Sequence, residues 1–165
     1  MPSVPSPEDL PTDIERMEKS LRRLTEEQRK TLCRERPIEL RRVEAIDFAN
    51  PKKKSPVQHI WLRSKERLGD QYSEHQGFLA YASDMGLLST SSLPHGMSWL
   101  NGLQTASLDH SMWFHDSFRM DKWILAVIES PTASNSRAFN RGLMFSAEGA
   151  LIASVSQEGL MRVRK

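Results

Sequence analysis

Asp84 is the side chain in this sequence best placed to do chemistry. Between Glu74 and Asp109 it is the only Asp, Glu, Lys or Arg. Around it Phe78, Leu79, Ala80, Tyr81, Ala82, Met85, Leu87 and Leu88 point in nearly every direction of a helix, so the helix is expected to be buried on most sides. A buried carboxylate without a cationic partner is costly, and a chain that retains one has a use for it. That use is either proton transfer or a structural one, capping a helix break at Gly86 or accepting from backbone amides. Gln157 is the second anomaly. On a strand it shares a face with Leu151, Ala153, Val155 and Met161, while Ser154, Ser156 and Glu158 take the other. An amide among apolar neighbours needs partners, from nearby backbone or from a site. Ser107 shares a strand face with Thr105, Asp109 and Ser111, opposite Ala106, Leu108, His110 and Met112, and by itself is unremarkable.

Other chemistries are excluded more simply. Asp109, His110 and Ser111 have the composition of a hydrolytic triad, but consecutive residues on a strand point to opposite faces and do not assemble locally. His59, His75, His95 and His115 lack metal-ligand spacing and are expected to be satisfied polar groups. No glycine-rich phosphate loop occurs. With Cys33 the single cysteine, neither an intrachain disulfide nor a zinc site needing two cysteines can form; Cys33 is expected to be half-buried and apolar in role. The four tryptophans, Trp61, Trp99, Trp113 and Trp123, read as packing residues.

The elements that must position these residues follow from periodicity. Met1 to Pro11 carries Pro2, Pro5, Pro7 and Pro11, which favours extended, poorly packed backbone of linker character. A surface helix is expected from Thr12 to Cys33, with Leu21, Leu24 and Leu32 on its thin apolar side. Ile38 to Arg41 and Val57 to Ser64 alternate as strands. The apolar helix runs from Tyr72 to Leu88, followed by a polar loop to Gly102. Strands are expected over Leu103 to His115, Lys122 to Glu129 and Arg137 to Phe145, with a last one over Ala150 to Val163 after a turn at Glu148-Gly149. Strands, one buried helix and then a run of antiparallel strands make an α+β domain with its sheet wrapped on that helix.

At 165 residues with 38% hydrophobic and 27% charged composition, the chain is expected to form one domain able to bury a core without staples. Its apolar runs are too short to span a membrane. A net charge of +2, from 23 basic and 21 acidic residues, gives no footprint for nucleic acid or a membrane surface; Lys52, Lys53 and Lys54 read as a solvated loop. The N-terminus lacks the basic start and apolar core of a secretory signal, and Arg164-Lys165 is not a Ser-Lys-Leu address, so a cytoplasmic location is expected.

Four segments together resemble one family. Tyr81-Ala82-Ser83-Asp84, Leu93-Pro94-His95-Gly96, Ser107 to His115 and Gln157-Glu158-Gly159 are similar to the C-terminal half of the double-hotdog acyl-CoA thioesterase II enzymes, which occur in bacteria and peroxisomes. The Pro-rich start resembles the segment joining their two hotdog units. This implies a linker and surface helix over residues 1–36 and a hotdog domain over 37–165. The family's Asp, Ser or Thr, and Gln fall on Asp84, Ser107 and Gln157. The resemblance implies that Asp84 is general base to a water held by Ser107 and Gln157; it names no oxyanion donors, for which backbone amides near Gly86 are candidates. The implied reaction hydrolyses fatty acyl-CoA without cofactor or metal. The missing N-terminal hotdog implies a homo-oligomer or an N-terminal hotdog partner; the rival reading is a weakly active or inactive fragment that partners a full-length thioesterase. A hydratase is disfavoured because the central helix carries no His beyond its start at His75.

Overall fold

The computed structural model describes residues 1–22 and 24–164, with the backbone alone at residues 17–20. Two short helices, α1 (Asp13–Leu21) and α2 (Glu26–Leu32), precede β1 (Ile38–Arg42) and β2 (Val57–Ser64). Next come α3 (Tyr72–Ser83) and α4 (Leu87–Thr90), then five strands: β3 (Leu103–Ser107), β4 (Ser111–Phe114), β5 (Ile124–Ser134), β6 (Arg137–Ser146) and β7 (Leu151–Val163). The strands form one seven-stranded sheet in the order β1-β2-β5-β6-β7-β3, with β4 also on β7. Every pairing is antiparallel. Leu79, Ala82, Met85 and Leu87 pack into a core with Ile60, Leu62, Ile124, Ala126, Ile128, Met144, Ile152, Ala153 and Val155. Among the described residues no helix is long and apolar enough to cross a membrane.

Four expectations are corrected in the helices. The helix over 12–33 is two, because the Thr25 side chain caps α2 in a reciprocal box with Gln28 and so starts a new helix. Cys33 at the end of α2 is exposed rather than half-buried. The helix over 72–88 also breaks: Asp84 is its C-cap, and Gly86 turns the chain at φ 97°. A Cβ at Gly86 would meet Ile60 Cδ1 at 2.5 Å, so the break sits where the backbone lies close against a β2 side chain. Nor is α3 buried on most sides. His75, Leu79, Ala82 and Ser83 are buried, whereas Gly77, Ala80, Tyr81 and Asp84 form an exposed stripe at helical spacing.

The Pro-rich start is not loosely packed. Pro7 is buried, and Arg41 Nη1 donates to Pro7 O at 2.7 Å and to Leu10 O at 3.2 Å. Trp61 Nε1 donates to Pro5 O at 3.0 Å, and Trp123 Nε1 to Glu8 Oε1 at 2.9 Å. Residues 7–9 form a single 3-10 turn in which Leu10 N also donates to Pro7 O at 3.2 Å, and a carbonyl with two lone pairs accepts both donors.

Candidate active site

The strand expected over 103–115 is interrupted at the point that matters. Ser107 pairs with Gly159 and Ser111 with Ser156, so residues 108–110 bulge opposite 157 and 158 alone. The bulge is held at both ends: Leu108 N donates to Glu158 O at 3.0 Å, and Glu158 N donates to Asp109 Oδ1 at 2.8 Å. A bulge ends the strict alternation of faces and re-aims a side chain. His110 is that side chain, and alternation is not the rule that governs its direction.

Gln157 is 1% exposed, and its partners are side chains rather than backbone. Its Nε2 lies 2.6 Å from Asp84 Oδ1 and 3.1 Å from His110 Nδ1. A carboxylate only accepts hydrogen bonds, so the amide nitrogen must face Asp84. Ser83 Oγ donates to Ala80 O at 2.8 Å and lies 2.8 Å from His110 Nε2. With its own proton on Ala80, Ser83 must accept from His110 Nε2–H, leaving His110 Nδ1 bare to accept from Gln157. Both Gln157 N–H groups are thereby engaged. Its Oε1 is buried without a partner among the described residues, as are both polar atoms of Asn140. Asn140 is the cross-strand partner of Gln157 and is likewise buried.

These groups open onto a cleft of about 450 Å³ lined by Arg36, Ala80, Tyr81, Asp84, Met85, Ser107, His110 and Gln157. The cleft therefore gathers all three residues singled out in the sequence. Asp84 is exposed there, on the outer stripe of α3, contrary to the burial expected of it. It is also the cap at the helix break, so the capping alternative describes its backbone while its side chain joins Gln157. Ser107 makes no hydrogen bond to Asp84 or Gln157 among the described residues. Near Gly86, Met85 N is taken by Ala82 O and Leu87 N by Asp84 O. The turn itself is braced from beneath: Arg42 links Asp13 to Gln58, Gln58 Nε2 donates to Thr90 Oγ1 at 2.7 Å, and Thr90 Oγ1 donates to Gly86 O at 2.9 Å.

Sequence reasoning missed His110, Asn140 and Arg36. Asp109 was the available signal for His110, since an Asp favours side-chain bonds to backbone over a regular strand position. The remaining histidines behave as expected where partners are seen: His75 bridges Met120 N and Gly69 O, His59 meets Glu44, and His115 meets Ser154. Among the described residues no three of His, Cys, Asp or Glu group as a metal site.

A family model described as acyl-CoA thioesterase matches residues 28–160. The chain belongs to the acyl-CoA thioesterase family. Over 99% of its length it is 35% identical to human acyl-coenzyme A thioesterase 8, covering 53% of that protein. The crystal structure of an acyl-CoA thioesterase II, TesB2, from Mycobacterium marinum superposes with a TM-score of 0.73 at 36% identity, over 100% of this chain and 56% of that one. A conserved hot-dog-fold protein from Alicyclobacillus acidocaldarius, 16% identical, superposes with a TM-score of 0.61 over 100% of this chain and 55% of its own. The fold is therefore a hotdog, as the resemblance implied. This acyl-CoA thioesterase family chain spans about half the length of the curated relatives it matches.

Proposed function

We propose that this chain is the hotdog unit, over residues 37–165, of an acyl-CoA thioesterase that hydrolyses fatty acyl-CoA to free acid and coenzyme A. The observation that carries the reading is the 2.6 Å contact between Gln157 Nε2 and Asp84 Oδ1 in a cleft that also contains Ser107. Asp84 is the general base. Gln157 holds one carboxylate oxygen, and the other takes a proton from a water beside the Ser107 hydroxyl. The water's oxygen attacks the thioester carbonyl, and collapse of the tetrahedral intermediate expels the coenzyme A thiolate, which is protonated on release. The sequence reading has Gln157 hold the water as well. With both N–H groups engaged, its role here is to orient the base.

A proton acceptor within hydrogen-bond reach of the attacking water contributes about 10² to 10⁴-fold. Asp84→Asn keeps the side-chain shape but cannot accept the proton. It is expected to retain the circular dichroism spectrum and to reduce thiol release from an acyl-CoA series by at least about 10²-fold. Near-normal turnover by a folded Asp84→Asn chain overturns the assignment.

The same reading requires a second hotdog unit. Tyr81 is 52% exposed and Trp113 53% exposed, on the α3 stripe and on β4. Exposed large apolar side chains, with Tyr81 lining a cleft that must exclude water, call for a partner surface. A second copy of the chain or a separate N-terminal hotdog unit supplies it.

A further inference from the structure

We propose that His110 is a positioning residue for this reaction, its bare Nδ1 holding the Gln157 carboxamide, and through it the Asp84 carboxylate, in the reactive orientation. The inference rests on the assignment of Asp84 as base. It follows from the directions of donation around one buried amide. The chain Gln157 Nε2 to His110 Nδ1 at 3.1 Å, His110 Nε2 to Ser83 Oγ at 2.8 Å, and Ser83 Oγ to Ala80 O at 2.8 Å admits one sense only. It ends on a helix carbonyl, which cannot donate, so every proton upstream is fixed. A free carboxamide flips with little preference. Here the flipped state would set its oxygen against both the Asp84 carboxylate and the lone pair of Nδ1. On the oxygen side, Gln157 Oε1 and both polar atoms of its cross-strand partner Asn140 are buried without a hydrogen bond among the described residues.

His110 matters because of its protonation state as well as its shape. An imidazolium donates from both nitrogens, so protonated Nδ1 would meet the Gln157 N–H head-on, and the amide would have to leave Asp84. The charged and titratable groups around the ring come from every neighbouring element. They are Asp84 and Tyr81 on α3, Arg36 ahead of β1 and Asp109 in the same bulge, while the Glu158 carboxylate on β7 is paired with Arg137 on the face opposite to Gln157. Ser83, Ser107 and Gln157 complete the surroundings without charge.

The test compares the full wild-type chain with His110→Asn, His110→Ala and Asp84→Asn, using decanoyl-CoA as the probe thioester and following thiol release against pH. An Asn side chain can place Oδ1 where Nδ1 stands, so His110→Asn keeps the acceptor but does not titrate. His110→Ala is expected to lower kcat by about 10²-fold, as misplacement of a reacting group does, with KM little changed. His110→Asn should recover most of that loss and keep its rate further into the acid range than wild type. Independently of turnover, the Gln157 side-chain amide signals in nitrogen-15 NMR should shift as His110 titrates, and this shift should vanish in both variants. A folded His110→Ala chain with wild-type kcat and pH profile overturns the proposal. Gln157 amide signals indifferent to His110 titration overturn it as well. If His110→Ala is neutral while Asp84→Asn is inactive, His110 is dispensable and the base assignment stands; if Asp84→Asn is also active, the base assignment itself has failed.

Discussion

The carboxylate that stands out in the sequence and the amide that stands out on the last strand are one unit: Gln157 is buried and Asp84 exposed, and a 2.6 Å hydrogen bond joins them. The buried member orients the exposed one. Gln157→Leu places an apolar side chain of similar size on a face shared with buried Ala153 and Val155. The fold should tolerate it. Thiol release should fall by about 10²-fold, because the Asp84 carboxylate loses the one side-chain hydrogen bond seen for it among the described residues and becomes free to rotate. A denaturation midpoint near wild type together with the lost rate is the expected pair of results. An unfolded variant whose refolded fraction keeps full turnover assigns Gln157 a structural role instead.

At the scale of elements, two joints hold the helix segment over the sheet. The first is the break between α3 and α4, where Gly86 adopts a left-handed conformation with its Cα close to Ile60. Gly86→Ala puts a side chain in that conformation, at a cost of roughly 1 to 2 kcal/mol, and forces Ile60 to move as well. Urea denaturation should show at least that loss, and turnover should fall further than stability because Asp84 caps the same break. The second joint is at the start of α3. There Arg119 bonds Asp121, Asp70 and the carbonyl of Leu68. The hydrogen bond from Arg119 holds the Asp121 carboxyl down to about 2, from an ordinary value of 3.8. Because the folded-state value is the lower one, this contribution to stability is present above about pH 3.8 and is lost as pH falls toward about 2. Asp121→Asn should lower the urea midpoint at pH 5 and flatten its decline between pH 4 and pH 2. An unchanged decline would place the acid sensitivity elsewhere.

At the scale of the molecule, the exposed apolar surface decides how the protein exists in solution. Tyr81, Leu108, Trp113 and Phe114 are 52%, 49%, 53% and 38% exposed, on α3, in the bulge and on β4. Of these, Tyr81 lines the cleft with Asp84, and Trp113, opposite Ser154, takes the sheet face away from Gln157. A two-fold pairing covers the same patch on both copies at once, and stable pairs bury about 800 Å² on each side. Light scattering at micromolar concentration should give about twice the chain mass, with activity falling faster than concentration on dilution. Trp113→Glu should yield a folded monomer with little turnover. A wild-type monomer with full, concentration-independent activity would remove the need for a partner, whereas a monomer activated only by an added N-terminal hotdog unit would assign the covering surface to another chain.

Strand alternation over Val57 to Ser64, the turn at Gly149 and the isolation of Asp84 are local properties, legible because period-2 patterning and glycine conformation act over a few residues. The α+β class and the three residues of the cleft followed from them and from the quoted motifs. Other features depended on residues far apart in the chain. The apolar stripe of Gly77, Ala80 and Tyr81 is as hydrophobic as the stripe that packs on the sheet, so periodicity alone could not say which one is covered. The Pro-rich start read as a loose linker because the donors that hold it, Arg41 on β1, Trp61 on β2 and Trp123 just ahead of β5, reach it only after folding. His110 was hidden for the same reason. Its direction is set by a mismatch of three residues against two between β7 and its neighbours, and a mismatch between two strands is not a property of either one. The sequence determined which side chains could do the chemistry; tertiary pairing decided their hydrogen-bond directions, because donors and acceptors are assigned only when distant elements meet.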